Sequence, residues 1–242
     1  MSYRERAFER YDYLLSNFQD GLENQARLHR ALFEKNIRRH LPKDKSSIVA
    51  DLGAGFGDLC EYLKSLGFAH VLGVDGSPEN VKLIQAKGCE AIQSSILPFL
   101  KTYNGFLDCC ILYDVLEHQN KEEGLELLDA IFSRLNPNGI LIAVVPNMLN
   151  PLTAARSRYL DITHEVGFTP PALDFMVHLA NFQSIEIHPI DHFVLPNGLF
   201  NFFGRMAQAA MHQIFRLMYL VHGVRGTEIL SKNILVRAKK PG

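Results

Sequence analysis

No cysteine pair in this chain has the spacing of a metal knuckle or a redox motif. The cysteines are Cys60, Cys89, Cys109 and Cys110; none lies in a CxxC pair, and the adjacent two sit in an apolar run. Buried reduced thiols and a reducing compartment are expected. Basic tracts are missing too: the formal net charge is −1 and there is no polybasic tail, so no nucleic-acid partner is expected. No uncharged apolar run approaches the roughly 18 residues that a spanning helix needs. The opening "MSYRERAFERYDYLL" is charged and lacks the apolar centre of an export signal. A cytoplasmic location follows, at the inner membrane surface if the C-terminal insertion described below meets lipid. Internal repeats and low-complexity segments are also absent. What remains is 242 residues, 47% of them hydrophobic, enough for one large domain with an appendage.

Residues 3–41 read as helical, with Phe8, Tyr11, Leu14, Leu15 and Phe18 near a 3.6 period; Gly21 divides two helices and "HLPKDKSS" closes the second. An alternation follows. Strands are expected at Ile48–Leu52, His70–Val74, Ala91–Gln93, Phe106–Leu112 and Gly139–Val145. Helices are expected at Asp58–Leu66, from the Ser77 cap to Lys87, and at Glu122–Leu135. Strands alternating with helices imply βαβ units on a parallel sheet. The stretch 146–171 is long and irregular, as functional or mobile loops are. A helix at 171–180, a strand Phe182–Ile190, an insertion over 191–229 and a final strand Lys232–Ala238 complete the reading. The fold class is α/β: a Rossmann-like, seven-stranded, mostly parallel sheet, its last strand antiparallel, with helices on both faces. Residues 1–45 are expected to form a helical cap, with Tyr11, Arg27 and Arg30, that serves as a lid or simply packs on the sheet edge. Residues 46–242 form the main domain.

The most informative stretch is "VADLGAGFGDLCEYL", which carries Gly53, Gly55 and Gly57 between a strand and a helix. A turn this bare lets a ligand press on main chain and the helix N-terminus. The dinucleotide fingerprint GxGxxG would need its third glycine where Asp58 stands, which disfavours a nicotinamide oxidoreductase, and no Gly-Lys-Ser/Thr follows to make a P-loop. Asp75, 22 residues after Gly53 at the end of the second strand, has two oxygens that match a vicinal diol such as a ribose.

"VADLGAGFGD" resembles the first motif of class I S-adenosylmethionine-dependent methyltransferases. The stretches "VLGVDGSPENV", "AIQSSILPFL" and "FLDCCILYDVLEHQNKEEGLELLDAIFSRLNPNGILIAVVPN" extend the resemblance over about residues 46–146. It implies S-adenosyl-L-methionine as cofactor. Gly53, Ala54, Gly55 and Gly57 would admit it, Asp51 would organise the loop, and Asp75, Gly76 and Ser77 would take the ribose. Ser94, Ser95 and Ile96 stand where family members often carry an adenine-binding Asp. Tyr113 and Asp114 end the fourth strand without the Asn-Pro-Pro-Tyr of enzymes that methylate DNA amino groups. Asn138 occupies a turn position where glycine is common, and Gly139 is expected to keep that turn.

Methyl transfer to an alcohol needs a base or metal to manage the hydroxyl proton, whereas a carboxyl or phenol needs little help. Two clusters offer such groups. One is Asp114, Glu117 and His118. The other is "RSRYLDITHEVGF", which contains Arg156, Arg158, Asp161, His164 and Glu165. Its Asp161-x-Thr163-His164 resembles a signature of bacterial methyltransferases associated with surface-glycan assembly. On that resemblance His164 is the base or positioning group, and Asp161 its orienter or a metal ligand. Arg156 and Arg158 would grip an anionic part of the acceptor, with Glu117 and His118 on the acceptor wall. No metal is assigned. Residues 199–221 are amphipathic: Leu199, Phe202, Phe203, Met206, Ala210, Ile214, Leu217 and Val221 face one way, and Asn201, Arg205, Gln208, His212, Arg216 and Tyr219 the other. This helix covers the core, makes a homodimer face, or lies on a membrane. The reading is an O-methyltransferase acting on a sugar or glycan-linked acceptor. The alternatives are a quinone-like or secondary-metabolite methyltransferase, and a non-catalytic partner protein of the same fold.

Overall fold

Seven strands pair in the order β3-β2-β1-β4-β5-β7-β6. In the computed structural model, residues 22–194, 198–225 and 229–242 are described; the first helix read at the N-terminus, Tyr11 included, lies outside them. The strands are β1 (Ile48–Leu52), β2 (His70–Asp75), β3 (Glu90–Gln93), β4 (Leu107–Tyr113), β5 (Leu135–Pro146), β6 (Gln183–Pro189) and β7 (Asn233–Lys239). β1 to β5 pair in parallel, and β7 inserts antiparallel between β5 and β6. This is the Rossmann-like sheet that the sequence predicts. All five parallel strands therefore end on one edge, at Leu52, Asp75, Gln93, Tyr113 and Pro146.

The period-2 alternation of each strand feeds two cores. Ala50, Leu52, Leu72, Val74, Cys110 and Leu112 face the cluster that contains Leu128, Ile131 and Leu173. Val49, Val71, Cys109 and Ile111 face the other, which contains Phe33, Ile37, Leu59, Leu63 and Ile84. All four cysteines are buried free thiols, as expected. The helices are α1 (Leu22–Asn36), α2 (Asp58–Ser65), α3 (Pro78–Ala86), α4 (Ile96–Thr102), α5 (Lys121–Arg134), α6 (Ala154–Tyr159), α7 (Pro170–Leu179) and α8 (Gly198–Val221). α3 starts at the predicted Ser77 cap, whose side chain accepts from Asn80 N. α5 starts on a capping box of Asn120 and Glu123. The periodicity does not predict α4 or α6; each is under two turns and too short to show a stripe. In the Asn136–Gly139 turn it is Asn138, at φ 64, that takes the left-handed conformation, which an Asn tolerates. Gly139 serves a different need there, since a Cβ would meet the Asn136 carbonyl at 2.8 Å.

The 146–171 stretch is not loose. Asn147 donates to the carbonyls of Ile229 and Ser231, and Asn150 to that of Leu230. Both side chains also accept bonds from backbone N–H groups just downstream.

α8 departs from one expectation: none of its residues is buried, so it does not cover the core. Its polar side rests on the body. Asn201, Gln208, His212, Arg216 and Tyr219 are half-buried, the Tyr219 hydroxyl donates to Leu149 O, and Arg205 pairs with Asp191 at 3.0 Å. Phe203, Met206, Ile214, Leu217 and Val221 are exposed, so its apolar stripe faces outward.

Candidate functional site

Two neighbouring strand ends carry the site. After β1, Gly53, Gly55 and Gly57 all sit at positive φ, at 84°, 51° and 76°. They serve different needs. A Cβ on Gly53 would fall 2.8 Å from Val115 Cγ2, and one on Gly57 would fall 2.9 Å from Ile84 Cγ1. These two glycines let protein pack on protein. Gly55 and Gly76 have nothing within 4 Å on that side, so they border open space. The loop is held by main-chain bonds from Gly53 and Ala54 to the Val74 carbonyl and by the Asp75 carboxylate. Asp75 accepts from Gly55 N (2.8 Å), Ser77 N (2.9 Å) and Asn80 Nδ2 (3.1 Å). Three of its about four acceptor positions are filled. Asp51 is buried, accepts a thiol bond from Cys60, and is pushed up to about 7 by burial. Ser94 N bonds the Asp75 carbonyl, Ser95 is exposed at the head of α4, and Ile96 lies beside Gly53.

After β4 the chain bends at Asp114, whose φ of 53° is unusual for a non-glycine residue. Asp114 is exposed, yet the surrounding protein mass raises its carboxyl. A short 3-10 turn, Leu116–His118, then carries Glu117 and His118 inward. Glu117 is 1% exposed and, among the described residues, neither side-chain carboxyl oxygen has a hydrogen-bond partner. Burial, with Asp114 adding to it, raises Glu117 well above its ordinary range.

The two clusters that stand 45 residues apart in sequence meet here. The Glu117 carbonyl accepts from Glu165 N (2.7 Å) and Val166 N (3.1 Å). His118 Nδ1 lies 2.7 Å from Thr163 Oγ1, which donates to Asp161 Oδ1 at 2.6 Å. The His118 and His164 rings meet edge to face, 4.7 Å between centroids, and His164 Nε2 is 4.0 Å from Asp161 Oδ2. Arg158 bonds the carbonyls of His164 and Glu165, so its guanidinium pins this segment, while Arg156 is exposed on α6.

One element of the site escaped the sequence reading. His29 of α1 donates to Asp58 at 2.7 Å and Lys87 of α3 pairs with the same carboxylate. The His29 bond first, and Lys87 after it, hold Asp58 down to about 2. Asp58, which sets this loop apart from the dinucleotide fingerprint, thus ties α1 to the glycine loop. Phe33 of α1 packs edge-on against Tyr113 at the end of β4. Tyr62 OH donates to Glu34 of the same helix. A partner 29 residues away leaves no local signal.

Residues 23–187 match a family model described as a methyltransferase domain. No curated protein matches the chain. Among solved structures the chain is similar to a SAM-dependent methyltransferase from Archaeoglobus fulgidus, with TM-score 0.64 and 22% identity over 87% of this chain and 94% of that one. It is also similar to a SAM-dependent methyltransferase from Thermotoga maritima whose name suggests histamine N-methylation, with TM-score 0.61 and 12% identity over 97% and 95%. A third is a structure of the Haloferax volcanii Trm112 methyltransferase activator in complex with a methyltransferase, with TM-score 0.65 and 14% identity over 92% and 95%. At these identities the structural likenesses speak for the fold alone.

Proposed function

This chain belongs to the methyltransferase domain family, in the class I superfamily that uses S-adenosylmethionine, and from that premise we propose that it methylates an alcohol oxygen on a sugar or glycan-linked acceptor. The bound cofactor supplies an electrophilic methyl group for in-line displacement. The open side of Gly55 and Gly76 fits a ligand of its shape. Gly53, Ala54, Gly55 and Gly57 would border its methionine and ribose, with Asp51 beneath the loop. Asp75 would take the ribose diol through its remaining acceptor position, helped by Ser77, and Ser94, Ser95 and Ile96 would border the adenine. Tyr113 and Asp114 would border the reacting end.

The observation that carries the alcohol reading is the meeting of Glu117, His118, Asp161 and His164 beside the glycine loop. A phenol or carboxyl acceptor would not need so much buried titratable chemistry; an alcohol does. The His164 Nδ1 atom lies 2.6 Å from the Ser157 carbonyl. A carbonyl only accepts, so Nδ1 carries a proton, and in the neutral ring the lone pair is then on Nε2, the atom a base would use. The likeness of Asp161-x-Thr163-His164 to glycan-associated enzymes supports the sugar class. The outward apolar stripe of α8, in a helix with no acidic residue, fits a membrane-borne acceptor.

A screen with labelled cofactor against nucleotide sugars, glycan fragments and phenols tests this reading. Label should enter a sugar hydroxyl, and His164→Ala should lower that turnover about 100-fold or more. Label in phenols alone, with turnover indifferent to His164, would replace it with the small-molecule reading.

A further inference from the structure

We propose that Glu117, His118 and His164 bind one divalent transition-metal ion, which then takes the acceptor hydroxyl. One potential ligand atom from each residue lies within 4.8 Å of the others. Two ligands on one ion stand at most about 4.2 Å apart, twice a bond of about 2.1 Å. A contraction of about half an ångström would close the set.

Three independent features point to an ion. The first is Glu117. A buried carboxyl group whose two oxygens find no hydrogen-bond partner among the described residues is costly. The second is the state of the two imidazoles. Thr163 has one hydroxyl proton, which goes to the Asp161 carboxylate; His118 Nδ1 must therefore donate to Thr163 Oγ1. His164 Nδ1 donates to the Ser157 carbonyl. In the neutral rings this leaves Nε2 as the ligating atom, and each ring is oriented by an outer partner in the manner of metal-bound histidines. The third is rigidity: the Glu117 carbonyl accepts two N–H groups from the segment bearing His164, and Arg158 bonds the His164 carbonyl.

Two imidazoles and one carboxylate favour manganese, iron, cobalt or zinc over magnesium or calcium, and three protein ligands leave positions open for an acceptor. Val115, two residues before Glu117, packs on Gly53, which sets the ion beside the cofactor loop. The ion would polarise the acceptor hydroxyl, whose proton passes to solvent. That oxygen then takes the methyl carbon as the carbon–sulfur bond breaks and its electron pair returns to sulfur. On this view His164 acts through the ion, and the expectation of no metal is set aside. The use of the ion rests on the O-methylation reading; its binding does not.

The test is titration of chelator-treated full-length protein with manganese(II) chloride, followed by the EPR signal of free manganese and by calorimetry. One ion per chain should bind in the micromolar range. Glu117→Gln and His164→Gln should each weaken it about 30-fold or more, with melting curves confirming that both remain folded. Arg156→Ala, outside the ligand set, should bind as wild type does. No binding by wild type, or equal affinity in all four proteins, overturns the proposal. S-adenosylmethionine affinity, measured on the same samples, should survive Glu117→Gln. If wild type binds manganese but not the cofactor, the metal site stands and the methyltransferase reading fails.

Discussion

The ends of β2 and β4 lie on one sheet edge and carry carboxylates in opposite conditions. Asp75, after β2, accepts three hydrogen bonds and holds the glycine loop in shape. Glu117, after β4, is more deeply buried and accepts none. The first has been given its partners by the fold. The second is held at a cost by a tightly bonded frame. The same contrast recurs beneath the loop, between paired Asp58 and nearly unpaired Asp51. It recurs among apolar groups too, between the two cores and the outward face of α8.

The largest expected effect concerns Asp51 and Asp58. Asp51 rises from 3.8 to about 7 on folding. Between those values the folded chain keeps a proton that the unfolded chain has released. Its contribution is fully present below about pH 4 and is lost as pH climbs through 7, on the order of 4 kcal/mol in all. Asp58 behaves oppositely: its folded value is depressed to about 2, so its stabilisation is present above about pH 4 and is lost as pH falls towards 2. Urea unfolding at about pH 5 and about pH 8 should show wild type losing stability and Asp51→Asn losing much less. Parallel losses would show that Asp51 is not the group responsible.

Next in size is the pair that defines the comparison. Asp75→Asn should cost about 1–3 kcal/mol, because charge-assisted bonds to three donors are weakened. Glu117→Gln in metal-free protein should cost nothing and gain up to about 1 kcal/mol. Denaturant curves on the two variants read both signs. Equal destabilisation would mean that Glu117 has a structural partner and would end the contrast.

The smallest stability effect belongs to α8. Phe203→Ser and Leu217→Ser, at positions 64% and 62% exposed, should change stability by less than about 0.5 kcal/mol. Both should reduce flotation of the protein with anionic liposomes. If flotation is unchanged or absent from the start, the stripe serves a homodimer, which sedimentation would reveal.

Much of this was legible in the residues. The strand at Ile48–Leu52 announces itself by a short apolar run closed by glycines, and Ser77 by its place before Pro78. Asp75 could be found because it lies one βα unit after the loop. The merger of Glu117-His118 with Asp161 and His164 could not, since each cluster looked sufficient alone. The tie between His29 of α1 and Asp58 was equally silent. The direction of α8 was hidden for another reason: an amphipathic pattern says that two faces differ, not which one meets the protein.

The sequence by itself determined the α/β alternation, the glycine loop and its acidic companion, because these depend on periodicity and spacing within a few tens of residues; the cofactor followed from the resemblance of those motifs to a known family. Only the tertiary structure decided that Glu117 would be buried without a partner against two histidines aimed by their neighbours. It also decided that α8 would turn its apolar side outward. Burial and the hydrogen-bond partners of distant segments are properties of packing, and packing is settled by the whole chain at once.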